Sequence, residues 1–167
     1  MWEFLIFCYN KLMQNIEEKI ESVDMKIIHF IKKHSLPMAR WAIFIVYFWF
    51  GILKVFSLSP ANPIVADLLS HTLPFISFDT FILSLGIFEM IIAFVFIING
   101  FERLAFLLLI VHLITTIMPL FILPTVAWQL FLVPTIEGQY ILKNVLIVAC
   151  AMGIVAHLHP LNYKNNV

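Results

Sequence analysis

The chain has 167 residues, 62% of them hydrophobic and only 12% charged, with a mean hydropathy of +1.01. Soluble domains are nearer half apolar and a quarter charged, so composition excludes a water-soluble globule and, equally, a disordered chain. Ten Lys and Arg against ten Asp and Glu leave no basic excess for nucleic acid, and Cys8 and Cys150 alone make no disulfide scaffold. The composition points to a small integral membrane protein.

Residues 1–35 come first and differ from the rest. Apolar side chains recur at Leu5, Tyr9, Leu12, Ile16, Ile20, Val23, Ile27 and Ile31, while Glu17, Glu18, Lys19, Glu21 and Lys26 occupy other faces. That three-four spacing predicts one stripe along an amphipathic helix. With Trp2, Phe4 and Phe7 as headgroup-level anchors, the helix suits the cytoplasmic surface of a membrane. The same stripe equally suits packing against a second copy or a partner helix. No basic segment precedes Trp2, so this is not read as a signal peptide.

Crossing a bilayer takes about 20 mostly apolar residues in a helix, because backbone groups find no water in the hydrocarbon. Residues 36–160 supply four such stretches, at 39–57, 81–98, 103–123 and 140–158, followed by a polar tail, 161–167. The predicted fold is all-α, a four-helix integral membrane bundle with an N-terminal amphipathic interfacial helix. Asn99-Gly100-Phe101-Glu102 predicts a tight turn that makes spans two and three antiparallel neighbours. Pro60, Pro63 and Pro74 mark one long connection and Pro124, Pro134 and Gly138 the other, read as ordered re-entrant or interfacial loops, while Pro119 should kink span three.

Orientation follows from the cations. Lys11, Lys19, Lys26, Lys32, Lys33, Arg40, Arg103 and Lys164 fall on one side; loops 58–80 and 124–139 carry Asp67, Asp79 and Glu137 but no Lys or Arg. Both termini are therefore expected in the cytoplasm, with the chain in a bacterial inner membrane.

Ionisable residues inside spans need a physical reason. Glu89 lies at the middle of span two, where an unpaired carboxylate is expensive. Lys54 and Lys143 lie about 9 Å from the midpoints of spans one and four, towards the outer face, and an extended lysine can close much of that gap. The expected buried site is therefore Lys54, Glu89 and Lys143. Each lysine alone could instead snorkel to the headgroups, and Glu89 could be a register-fixing ion pair or a protonated hydrogen-bond donor. Around them stand Tyr47, Gly51, Gly86, Tyr140 and Asn144, with His112, Thr115 and Thr116 at one-turn spacing on span three. A lone membrane histidine of this kind is more often an interhelical hydrogen-bond partner than a ligand. His157 and His159 lack an accompanying carboxylate or thiol, so no metal site is expected, and Ala149-x-x-x-Gly153 offers a small-residue face whose commoner use is inside a bundle.

The order of signatures then resembles a known family. Arg40-Trp-Ala-Ile-Phe-Ile-Val-Tyr-Phe-Trp-Phe-Gly51-Ile-Leu-Lys54, Pro63-Ile-Val-Ala-Asp67, Leu85-Gly86-Ile-Phe-Glu89-Met-Ile-Ile-Ala and Gly138-Gln-Tyr-Ile-Leu-Lys143-Asn144 are similar to DoxX-like membrane proteins. The likeness is greatest to the YkgB-like, reactive-chlorine-resistance branch, and covers roughly residues 38 to 158 with four spans. It implies Gly51, Lys54, Glu89 and Lys143 as recurrent positions, and a quinone-linked oxidoreductase subunit or an oxidant-stress protein. Asn144 stands where an acidic residue often follows the lysine in that family.

Three functions fit these residues. In the first, Lys54 and Lys143 stabilise a reduced oxygen of a quinone while Glu89 moves a proton, and a redox partner subunit or a diffusible donor supplies electrons. In the second, the same pocket binds or transports a small lipophilic or anionic solute, with Glu89 as protonation switch. In the third, the chain is a structural membrane subunit whose charges set helix register. The bilayer is the expected partner in all three, and a homo-oligomer is compatible with each.

Overall fold

A computed structural model describes residues 1–158, and within them every side chain except those of Glu3, Leu5, Cys8 and Asn10. Readings that fall on Leu5 and Cys8 as side chains, and on His159, Lys164 and the tail 161–167, lie outside the described residues. Helix α1 runs Trp2–Val55, α2 Asn62–Thr72, α3 Phe78–Ile97 and α4 Glu102–Ile117. Two four-residue turns follow, α5 Pro119–Ile122 and α6 Pro124–Ala127, then strands β1 Trp128–Leu130 and β2 Val133–Pro134, and finally α7 Ile136–Leu142 and α8 Asn144–Val155.

Four helical stretches are long and apolar enough to cross a membrane: Lys11–Val55, Phe78–Ile97, Glu102–Ile122 and Ile136–Val155. At 1.5 Å per residue the 20-residue α3 is about 30 Å long, the thickness of a hydrocarbon core. Contacts divide the chain into two units, Met1–Met38 and the part from Ala39 onward. In the first unit nearly every described side chain is exposed.

The second unit is a helical bundle. Helix α3 packs on α4, α4 on α8, and α2 against α3 and α5. Its inward residues follow a three-four spacing: Ile43, Tyr47, Gly51 and Lys54 on α1; Ile82, Gly86, Glu89, Ala93 and Phe96 on α3; Glu102, Ala105, Leu109 and His112 on α4. Ser77 caps α3 by accepting from the Thr80 amide, and Thr135 caps α7 by accepting from the Gly138 amide at 3.0 Å. The α3–α4 turn needs Gly100, whose φ is +94°.

Several expectations change in detail. The helix does not stop before span one: α1 continues through Pro37, since a proline forfeits one backbone hydrogen bond locally and the residues beside it keep helical geometry. Span three is interrupted where Pro119 was expected to kink it, at Met118 between α4 and α5, since proline cannot donate to the preceding turn. Span four is interrupted at Lys143, between α7 and α8.

The chain is not wholly α either. β1 and β2 pair antiparallel about the exposed turn Phe131-Leu132, where Leu132 has φ +59°. Pro134 lacks an amide donor, which keeps the ladder short.

Candidate functional site

The site begins with two glycines. A Cβ on Gly51 would sit 2.8 Å from the Gly86 carbonyl oxygen and 2.8 Å from Met90 Cγ; one on Gly86 would sit 2.7 Å from the Gly51 carbonyl oxygen and 3.0 Å from Lys54 Cβ. Backbones of α1 and α3 therefore touch, with the Lys54 stem lying across Gly86. Only hydrogen in place of a side chain permits that approach. Lys54 is three residues past one glycine and Glu89 three past the other, so each stands one turn from the crossing on the contacting face.

The crossing joins their charged ends. Lys54 Nζ donates to both carboxylate oxygens of Glu89, at 2.8 Å to Oε1 and 2.6 Å to Oε2. From α4, His112 Nε2 lies 2.9 Å from Glu89 Oε1, and the Tyr47 hydroxyl lies 3.2 Å from His112 Nδ1. Tyr47, Lys54, Glu89 and His112 are each only 5–6% exposed. Burial of that depth makes pairing obligatory, because an isolated charge would have to neutralise.

An ammonium at Lys54 and a carboxylate at Glu89 cancel in charge. The imidazole links that pair to Tyr47: the tautomer with its proton on Nε2 donates to Glu89 and accepts from the Tyr47 hydroxyl at Nδ1. Thr116 Oγ1 lies 3.3 Å from the same nitrogen and, at 3.0 Å, donates to the His112 carbonyl oxygen; Thr115 Oγ1 does so at 2.7 Å. Rings enclose the imidazole, Tyr47 edge-on at 5.2 Å and Phe88 tilted at 6.1 Å. Among the described residues Asn62 Oδ1 is the one buried side-chain polar atom without a partner, so no atom of the quartet is orphaned. What results is a chain of hydrogen bonds from Tyr47 through His112 to Glu89 and Lys54.

Of the expected trio, Lys54 and Glu89 meet and Lys143 does not join them. Lys143 is exposed, with its Nζ 4.6 Å from the centre of the exposed Tyr140 ring. It comes two residues after buried Ile141, which at 100° per residue turns it to the opposite side of the helix. Asn144 is half-buried and likewise outside the network. Gly51, Gly86 and Tyr47 stand beside the ion pair, as backbone contact, stem cradle and last hydroxyl.

Other polar residues go elsewhere. His71 Nδ1 bonds to the Asp67 carbonyl of its own helix, and His157 Nδ1 to the Gly153 carbonyl. No group of three metal-ligating side chains occurs among the described residues, and Cys150 is a free, exposed thiol. Ala149 and Gly153 are also exposed, with nothing within 4 Å of a Cβ added to Gly153, so this small-residue face is not packed inside the bundle.

One contact escapes sequence reasoning. Arg40 donates to Asn99 Oδ1 and Glu102 Oε1, tying α1 to the α3–α4 turn, with Glu102 buried. On the sequence Arg40 counts only as a topogenic cation and Glu102 only as part of a turn. Their pairing, 62 residues apart, becomes visible only once Tyr47, Gly51 and Lys54 are aligned on the same face.

The fold and the site thus define a helical bundle with membrane-length apolar helices and a buried Lys–Glu–His–Tyr chain. Comparison of the sequence with family models and curated proteins, and of the fold with solved structures, finds no match.

Proposed function

We propose that this chain is a DoxX-like bacterial inner-membrane protein, with both termini in the cytoplasm, that handles protons for a quinone-linked or oxidant-protective reaction. The observation that carries this is the Glu89 carboxylate, held by Lys54 on one side and by His112, backed by Tyr47, on the other. Intramembrane carboxylate–histidine chains of this type are the usual parts of proton relays. The lopsided distribution of Lys and Arg supports the orientation.

A spare donor on Lys54 supports the quinone reading. Lys54 has three ammonium donors and Glu89 takes two; among the described residues no acceptor pairs with the third. A bound quinone would supply the two-electron chemistry, with electrons from a partner subunit or a diffusible donor. Lys54 would orient and polarise the oxygen, and Glu89 would accept or deliver the proton, held in position by His112 with Tyr47 behind it. Lys143 has no part in this arrangement.

Extraction of lipid from the purified protein, together with Glu89→Gln, tests the reading. Quinone should co-purify with the wild type and be lost, with oxidant survival, in the folded variant. Another bound solute in place of quinone would favour binding or transport. Unchanged ligand content and survival in folded Glu89→Gln would leave the pair a purely structural role.

A further inference from the structure

The first unit carries a surface the buried chain does not use. Its apolar positions repeat every 11 residues: Leu5, Ile16 and Ile27 in one register, Tyr9, Ile20 and Ile31 in a second, Leu12 and Val23 in a third. Within this stripe Ile16, Ile20, Val23 and Ile27 alternate four- and three-residue steps, the heptad spacing of a coiled-coil seam. Every described member of it is exposed. Midway along, Lys19, Ile20, Val23, Asp24 and Ile27 share this exposed face.

The charges beside the stripe have a handedness. At about 100° per residue, Lys19 and Lys26 border one edge, whereas Glu17 and Asp24 border the other. A parallel, in-register pair of such helices sets the basic edge of each against the acidic edge of its mate. Lys19 then faces Asp24 of the second copy, five residues on, which is the spacing of interhelical ion pairs in parallel coiled coils. Antiparallel pairing would set lysine edge on lysine edge and acid on acid.

A lipid surface is the poorer fit. Residues 1–38 hold five Lys and five Asp or Glu, hence no net attraction to anionic headgroups, and one border of the stripe carries the acids Glu17 and Asp24. We infer that the N-terminal half of α1 is a homodimerisation helix, pairing in parallel with the same segment of a second copy through Ile16, Ile20, Val23 and Ile27, with Lys19–Asp24 contacts across both edges.

The test uses the full chain in lipid nanodiscs after Cys8→Ser and Cys150→Ser. Ile16→Cys and Val23→Cys, introduced separately, should each form a disulfide-linked dimer on oxidation. Lys19→Glu and Asp24→Lys should each lower the dimer yield about tenfold by creating like-charge contacts, and the two together should restore it with the polarity exchanged. Circular dichroism checks that helix content is unchanged. Failure of both cysteines to cross-link, cross-linking at only one of them, or a monomeric double-charge variant would overturn the parallel dimer. Protection of the segment by lipid in a monomer would assign the stripe to the membrane surface instead.

Discussion

Two lysines sit in apolar spans, each near a glycine and a tyrosine, and meet opposite fates. Lys54 follows Tyr47 and Gly51 on one face of α1 and ends on a buried carboxylate. Lys143 follows Gly138 and Tyr140 but lies off the inward face of α7 and stays exposed over the tyrosine ring. Depth along the helix is comparable by sequence; angle about the axis is what separates them. A lysine on the packed face must find an anion, whereas one turned outward needs none.

The contrast can be broken most forcefully at Glu89. Glu89→Ala leaves the Lys54 ammonium buried without its anion and should cost about 3–5 kcal/mol, read as the loss of unfolding free energy in mixed detergent micelles. Replacing both partners, Lys54→Met with Glu89→Leu, should recover most of that loss while abolishing any proton-linked activity.

The helix crossing is next in size. Gly51→Val places carbon against the Gly86 carbonyl and should cost about 1–3 kcal/mol, with separation of α1 from α3 measurable between spin labels. Tyr47→Phe removes a single interhelical hydrogen bond and should cost about 1 kcal/mol, with helix content unchanged. At the other lysine, Lys143→Met should change stability by no more than about 0.5 kcal/mol in the same titration. A loss there as large as that of Glu89→Ala would erase the distinction between the two.

Much of this was legible in the chain itself. Apolar runs separated by Asn99-Gly100 and by proline-rich segments are enough to mark four membrane-length helices, because the backbone leaves few alternatives in a hydrocarbon solvent. Glu89 announces itself by lying at the middle of the most apolar helix but one. At Lys143, rise per residue gives the depth but not the direction, which rotation about the axis decides. Once buried Gly138, Ile141, Ala151 and Ile154 show which side of α7 and α8 faces inward, Lys143 is visibly on another.

Other features depend on tertiary contacts that no local pattern encodes. Arg40, inside α1, reaches Asn99 and Glu102 because the α3–α4 turn lies beside it. The β1–β2 pair forms in a segment whose apolar content resembles its helical neighbours, and is stopped by Pro134. Continuity of α1 through Pro37 likewise shows that one missing amide does not end a helix whose flanks both favour it.

The Lys54–Glu89 pair also imposes an order on biosynthesis. Ribosomes deliver Lys54 before Glu89, 35 residues earlier, an interval of about 2–7 s at ordinary translation rates. During it Lys54, in the last turn of α1, has no carboxylate to meet and can only extend towards the headgroups. The buried ion pair can therefore close only after the second hydrophobic segment has been made.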